Sequence, residues 1–211
     1  MSSIATFLRQ RAVDITVGGS YVLPRWFDCN GKPRTFACRS TRVSPFRMIV
    51  QVPVIGKIGD KITSYFRDFG ELDATITDIT KGGFLMELEM TAERRAWMAE
   101  KLAWLEKRRR DRAIQDKRKD ARYVPQVPHT ILTLADGGVH PCFVIDVSAS
   151  GAAVSAEYEP PMGAPLAVGN CVGRVVRILP NGFAVKFAEK QHPEQILRLI
   201  VRTGQASALQ A

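Results

Sequence analysis

The sequence predicts a mainly β protein that contains two small six-stranded β-barrels, joined by a long basic α-helix and followed by a short C-terminal helix. Two stretches of short strand-like segments, a faint repeat that relates them, and one intervening segment without proline or glycine support this fold class. The predicted domains are residues 1–90, the helical linker 91–117 and residues 118–205. With 211 residues, the chain is long enough for two small domains.

The repeat relates residues 70–88 to residues 169–187 at a constant offset of 99. Further upstream the offset is 104, and there Ser44 aligns with Ser148. An insertion of five residues between the two blocks reconciles these offsets. The period is far too long for a solenoid, so the pattern indicates a duplicated β-domain.

The second copy has the pattern of a meander of short strands. The strand-like segments are residues 127–134, 139–147, 152–157, 165–168, 172–179 and 183–187. Asp136-Gly137-Gly138 and Pro180-Asn181-Gly182 are hairpin signals between them. About six short strands at this spacing indicate a small barrel. A helix then begins near Pro193, with one apolar face. The first copy, roughly residues 18–89, has similar turn punctuation.

The segment between the copies has the composition of a helix and most of the excess charge. Residues 91–122 contain twelve basic and six acidic residues, which is +6 of the net charge of +9. This charge predicts an anionic partner. Trp97 and Trp104 lie seven residues apart among apolar neighbours, a spacing that fits a homodimer seam. The alternative, which we favour, is that this helix packs on its own barrel.

Two short motifs carry the candidate chemistry. Arg118 and Arg122 form Arg-x-x-x-Arg, and Asp146, Ser148 and Gly151 form Asp-x-Ser-x-x-Gly, which begins 24 residues after Arg122. Arginine grips phosphate bidentately and can pair with the O6/N7 edge of guanine. A carboxylate suits the N1-H and N2-H donors of guanine, and a serine hydroxyl can donate to phosphate. Glycine permits a sharp turn or a close backbone approach.

In this order and spacing, the motifs resemble the cyclic di-GMP (c-di-GMP) site of PilZ domains, over roughly residues 117–200. The resemblance implies a six-stranded barrel with a terminal helix, an arginine loop that folds over the ligand, and no catalysis. By this resemblance, the five motif residues bind c-di-GMP. Lys117 occupies the position that, in this family, influences whether one or two ligand molecules bind. It also implies a bacterial receptor in motility, exopolysaccharide or biofilm control. Ligand binding would change the inter-domain arrangement or the binding of a downstream protein.

The first copy departs from this pattern. Arg42 and Arg47 stand at the places of Asp146 and Gly151, and only Ser44 keeps its match. No Arg-x-x-x-Arg lies at the equivalent upstream place. We therefore expect a degenerate PilZ-like barrel without a dinucleotide site. Its expected role is to dock a partner, to form a dimer, or to provide the surface that the ligand-closed arginine loop rearranges.

Other functional classes have less support. The sequence has no glycine-rich phosphate loop or recognisable catalytic constellation, so no enzyme is expected. Four scattered cysteines and three scattered histidines predict no metal site and no cofactor beyond the ligand. The chain has no long apolar run and no signal peptide, so the expected location is cytoplasmic, without a membrane span. The remaining alternatives are a nucleic-acid-binding protein that uses the basic segment, and a ligand-independent adaptor.

Overall fold

The computed structural model describes residues 12–109, 122–192 and 195–200. The chain divides into two compact units, residues 1–115 and residues 116–211. The described residues form twelve β-strands and two α-helices, and each unit contains one closed six-stranded antiparallel barrel. The predicted fold class is therefore confirmed, whereas the finer domain boundaries at residues 90 and 117 stay predictions.

The first barrel has the strand order β1-β2-β3-β6-β5-β4 and is closed by the pairing of β1 with β4. Its strands are β1 (Gly18–Phe27), β2 (Pro33–Val43), β3 (Arg47–Gln51), β4 (Lys61–Phe66), β5 (Gly70–Thr80) and β6 (Gly83–Glu89). Burial alternates along β4, where Ile62, Ser64 and Phe66 point inwards. This alternation is the period of two that a strand with one buried face requires. Helix α1 (Ala92–Arg109) follows β6.

The second barrel repeats this topology. Its strands are β7 (His129–Leu134), β8 (Val139–Ser148), β9 (Gly151–Ala156), β10 (Pro165–Val168), β11 (Cys171–Leu179) and β12 (Gly182–Phe187). The order β7-β8-β9-β12-β11-β10 matches that of the first barrel strand for strand, and β10 pairs with β7 to close it. Helix α2 (Ile196–Ile200) follows, and Ile196 and Ile200 are fully buried in this barrel's core.

Both barrels carry β-bulges at positions that the repeat relates. One bulge in each barrel lies just before Arg42 in β2 and just before Asp146 in β8. The other lies just before Asp78 in β5 and just before Arg177 in β11. These pairs are 104 and 99 residues apart, the two offsets found in the sequence. The register of the strands thus supports the predicted duplication, because bulges are built-in features that change which face a side chain points to.

Helix α1 belongs to the first unit. Thr91 caps it, with its Oγ1 accepting a hydrogen bond from the Arg94 backbone at 3.3 Å. Met98 and Leu102 are buried in the core of the first barrel. Arg94 Nη2 also donates to the Phe69 carbonyl at 2.9 Å. The preferred interpretation, that the helix packs on its own barrel, is therefore confirmed.

The two tryptophans of α1 do not take part in that packing. Trp97 is 44% exposed and Trp104 is 46% exposed, so the buried stripe one residue further along, which contains Met98, makes the contact instead. The Arg94 guanidinium lies over the Trp97 ring and the Lys101 ammonium over the Trp104 ring. A homodimer through this helix stays a prediction. The last residues of the predicted linker, 110–117, lie outside the described residues.

Three of the four cysteines are buried. Cys38, Cys142 and Cys171 lie in strands and are buried, whereas Cys29 is exposed. Burial raises the pKa of the Cys142 thiol to about 12, and it raises the pKa of the Cys38 thiol well above its ordinary value. These thiols therefore stay protonated and pack as small apolar groups.

Candidate functional site

The backbone bridge between Tyr123 and Val147 positions Arg122 on the second barrel. The Tyr123 amide donates to the Val147 carbonyl at 2.7 Å, and the Val147 amide donates back at 2.9 Å. Because Val147 follows Asp146 in β8, this bridge brings the Arg122 side chain beside the Asp146 carboxylate. Arg122 and Asp146, which are each adjacent in sequence to a residue of the bridge, are therefore close together in space.

Arg122 and Asp146 form a charged pair at the surface. Arg122 Nη1 lies 2.9 Å from Asp146 Oδ2 and 3.2 Å from Oδ1. The side chains are 42% and 25% exposed, respectively. An exposed pair of this kind contributes about 0–1 kcal/mol, because water solvates the separated charges well. Breaking this ion pair so that both groups can contact a ligand would therefore cost little free energy.

Ser148 organises the turn between β8 and β9. Its Oγ donates to the Gly151 carbonyl at 3.3 Å and lies 3.4 Å from the Ser150 Oγ. In the first barrel, Ser44 makes the same contact, since its Oγ donates to the Arg47 carbonyl at 3.2 Å. The serine shared by the two copies thus has a turn-stabilising role in both, and a ligand contact of Ser148 stays a prediction.

Gly151 is required by a close backbone approach. A Cβ at this position would lie closer than 3.0 Å to the Val185 carbonyl oxygen and 3.4 Å from the Lys186 Cα. Its φ angle is not among the positive ones of the chain. Of the two predicted reasons for this glycine, the structure thus supports the close approach of β9 to β12.

A surface pocket of about 410 Å³ lies over these residues. It is lined by Arg122, Asp146, Ser148, Ser150, Gly151, Ala152, Ala153, Val176, Arg177, Ala184, Val185 and Lys186. The structure thus brings together four of the five sequence-predicted site residues. Arg118, the fifth, lies outside the described residues.

Sequence reasoning missed the far wall of this pocket, which β11 and β12 supply. Arg177 and Lys186 are exposed cations there, and neither belongs to a recognised motif. A signal was nevertheless present, because the repeat offset of 99 aligns them with the acidic residues Asp78 and Glu87. A change of charge between aligned positions is easily overlooked where few identities support the alignment.

The equivalent place on the first barrel holds ion pairs of its own. Arg42 Nη1 lies 2.7 Å from Asp14 Oδ1, and Arg47 Nη2 lies 3.7 Å from Glu87 Oε2. Here the strand supplies the arginine and the preceding segment supplies the acid, which reverses the polarity of the pair in the second barrel. This arrangement agrees with the expectation that the first copy is degenerate at the site.

No group of three or more His, Cys, Asp or Glu side chains in the described part of the chain is placed to hold a metal ion. Within the same ranges, no helix combines the length and the apolar character needed to cross a bilayer.

The fold and the site together define a β-barrel with a polar surface pocket. The pocket presents a guanidinium, a carboxylate and hydroxyl groups beside small apolar side chains, which is the mixture expected of a binding site. Residues 116–202 match the model of the family described as "PilZ domain". The second unit of this chain is therefore a PilZ domain.

Solved structures give low-scoring matches over most of the chain. PlzA from Borreliella burgdorferi in complex with c-di-GMP is 12% identical, with a TM-score of 0.30, and the match covers 93% of this chain and 94% of that one. MrkH from K. pneumonia in complex with c-di-GMP is 14% identical, with a TM-score of 0.27 and coverages of 87% and 83%. The inhibitor of motility MotI/DgrA from Bacillus subtilis is 14% identical, with a TM-score of 0.28 and coverages of 89% and 94%. No curated protein matches the chain.

Proposed function

We propose that this chain is a c-di-GMP-binding receptor in bacterial second-messenger signalling. One observation carries the proposal: within the PilZ domain, Arg122 and Asp146 meet at the wall of a pocket that also contains Ser148 and Gly151. Arg118 extends the site by sequence. Motility, exopolysaccharide or biofilm control as the downstream process stays a prediction of the family resemblance.

The chemistry of the pair fits a guanine nucleotide. Asp146 offers two acceptor oxygens for the N1-H and N2-H donors of guanine, and Arg122 offers a donor fork for phosphate or for the guanine O6/N7 edge. In the structure these two groups pair with each other. Ligand binding would replace one exposed ion pair, worth about 1 kcal/mol at most, by several charge-assisted hydrogen bonds. The exchange is therefore favourable.

The proposed role is binding rather than catalysis. PilZ domains are binding modules, and the roles assigned to Arg122, Asp146 and Ser148 are recognition roles. None of these roles includes a nucleophile that is activated by a neighbouring base. We therefore propose that c-di-GMP leaves the site chemically unchanged.

We further propose that binding changes the inter-domain arrangement or the binding of a protein partner. Along the chain, Arg118 and Arg122 lie between helix α1, which packs in the first unit, and the second barrel. A ligand held by these arginines would act on that junction, and its effect is limited by its differential affinity for the two arrangements. Small-angle scattering with and without saturating c-di-GMP tests this part. Superimposable profiles, together with unchanged partner binding, would contradict it.

The central test is isothermal titration calorimetry with c-di-GMP, beside GTP and cyclic di-AMP. The test variants are Asp146→Ala and the double variant Arg118→Ala/Arg122→Ala. The matched control is Asp14→Ala, which removes the acid of the corresponding pair in the first barrel. We expect saturable, c-di-GMP-selective binding that is lost in the test variants and retained in the control.

Two outcomes would count against the proposal. An absence of binding by the native chain at high ligand concentration would refute it and leave the nucleic-acid-binding and adaptor predictions. Equal loss of binding in Asp14→Ala and Asp146→Ala would show that the variants disturb the protein generally. The titration also counts the ligands bound per chain.

A further inference from the structure

The strand register aligns four pocket-lining residues across the second barrel. Asp146 pairs with Ala153, Ala153 with Ala184, and Ala184 with Arg177. Neighbouring strands lie about 4.8 Å apart, so this row runs about 14 Å from Asp146 to Arg177. The row therefore has an acid at one end, an arginine at the other and a shelf of two alanines between them.

A second row runs parallel to the first. Ser148 pairs with Gly151, Gly151 with Lys186, and Lys186 with Arg174. Lys186 therefore lies one row away from Arg177, and both residues line the far wall of the pocket. The bulge just before Arg177 allows its side chain to point outwards. Neither the Arg177 nor the Lys186 side chain forms an ion pair or hydrogen bond with any residue that the structure describes.

The positive charge of the pocket comes from this far wall. Arg122 is paired with Asp146 at 2.9 Å. Among the residues that line the pocket, Arg177 and Lys186 are the cations that remain. A polyanionic ligand is therefore attracted to the β11–β12 side, opposite the recognised motif.

The first barrel has an equivalent cross-strand row, but its end charges are reversed and its central residues are larger. There Arg42 pairs with Ile49, Ile49 with Leu85, and Leu85 with Asp78. The end charges are reversed, and bulky Ile49 and Leu85 replace the alanine shelf. Glu87 likewise stands where the second barrel has Lys186. Since the same barrel forms with acidic residues at these places, the two cations of the second barrel are not a requirement of the fold.

We propose that Arg177 and Lys186 are further ligand-binding residues, which bind the phosphate remote from Arg122, while the flat part of the ligand lies on Ala153 and Ala184. This inference rests on the proposed c-di-GMP binding and assigns its second phosphodiester a site. The ligand is thereby held from both sides, by Arg122 and Asp146 at one edge and by β11 and β12 at the other. A monophosphate satisfies only one of the two edges.

Calorimetric titration with c-di-GMP of the variants Arg177→Gln, Lys186→Gln and Arg177→Glu tests the inference. The matched control is Arg174→Gln, an exposed arginine of the same strand that is the cross-strand partner of Lys186, donates to the Gly163 carbonyl and does not line the pocket. We expect each Gln variant to bind about tenfold more weakly, because a charge-assisted hydrogen bond to phosphate is lost. We expect Arg177→Glu to lose more affinity than Arg177→Gln, and Arg174→Gln to keep the native affinity.

The salt dependence of binding adds a second measurement. The native affinity should fall with ionic strength, and the fall should be shallower in the double variant Arg177→Gln/Lys186→Gln, because two screened attractions are absent. If the native chain binds and Asp146→Ala does not, but the Gln variants keep the native affinity and salt dependence, this inference is overturned and the receptor function stands. If the native chain itself does not bind, the receptor function fails.

Discussion

Gly151→Ala should destabilise the second unit and leave the first unchanged. The new Cβ would lie closer than 3.0 Å to the Val185 carbonyl oxygen, which belongs to the backbone of β12 and cannot rotate away. Such overpacking typically costs about 1–3 kcal/mol. For a domain of this size, each kcal/mol shifts the melting temperature by about 4–8 °C, so we expect a fall of roughly 4–24 °C.

The assay can follow the two units separately. All three tryptophans, Trp26, Trp97 and Trp104, lie in the first unit. Tryptophan fluorescence therefore reports the unfolding of the first barrel, whereas far-UV circular dichroism reports both barrels. We expect Gly151→Ala to lower the melting temperature of one transition seen by circular dichroism and to leave the melting temperature seen by tryptophan fluorescence unchanged.

Gly138→Ala is the matched control within the second unit. Its added Cβ would meet the Asp136 carboxylate oxygen at 3.1 Å and the Leu134 methyl at 3.5 Å, and both are side-chain atoms that can move. We expect a change of less than about 1 kcal/mol, since a flexible neighbour relaxes. An unchanged dichroism transition for Gly151→Ala, or an equal fall for both variants, would refute the close-approach argument.

Three further predictions follow from burial and from the shelf. Ala184→Leu gives the second barrel the residue that the first has at Leu85. Calorimetry should show c-di-GMP binding weakened by at least about tenfold, because the leucine fills the shelf, at nearly unchanged thermal stability, because Ala184 is only partly buried and lines the pocket. Met98→Ala should cost about 2–5 kcal/mol of first-unit stability in denaturant titrations followed by tryptophan fluorescence, whereas Trp97→Ala should cost much less, since Met98 is fully buried and Trp97 is half exposed. Iodoacetamide should label Cys29 alone in the native protein, and mass spectrometry that finds more than one rapid adduct would contradict the burial of the other three thiols.

Most of the fold was predictable because its signals are local. The strand-like segments and glycine turns in the sequence predicted the strands of the second barrel to within a few residues of their observed bounds, and the proline-free segment predicted the start of helix α1 to within one residue. Strand β9, for example, begins at Gly151 where residue 152 was predicted. Offsets of 104 and 99 also anticipated the shared register, since aligned strands in two copies of one barrel must face the core in the same way.

The far wall of the pocket was not predictable by motif. Arg177 and Lys186 are distant in sequence from Arg122 and meet the site only through the pairing of β11, β12 and β9. A strand pattern tells which residues face outwards but not which strands become neighbours, because neighbours are set by barrel closure. The bulge before Arg177 adds a second difficulty, since it shifts the inward–outward alternation by one residue.

The two barrels together separate what the fold requires from what a ligand would require. A Cβ at Gly83 or at Gly182 would lie closer than 3.0 Å to the carbonyl oxygen of Val50 or Val154, respectively, so both copies need glycine at the start of this strand. The capping serine of the β2–β3 and β8–β9 turns is likewise shared. Charges at the ends of the cross-strand row are instead reversed between the copies, although both barrels close with the same register. Residues that keep their chemistry in both copies thus have a structural explanation, whereas the barrel does not require the negative charge of Asp146, since Arg42 stands at its place in the first copy. That contrast supports a ligand-binding role for the reversed charges independently of the family match.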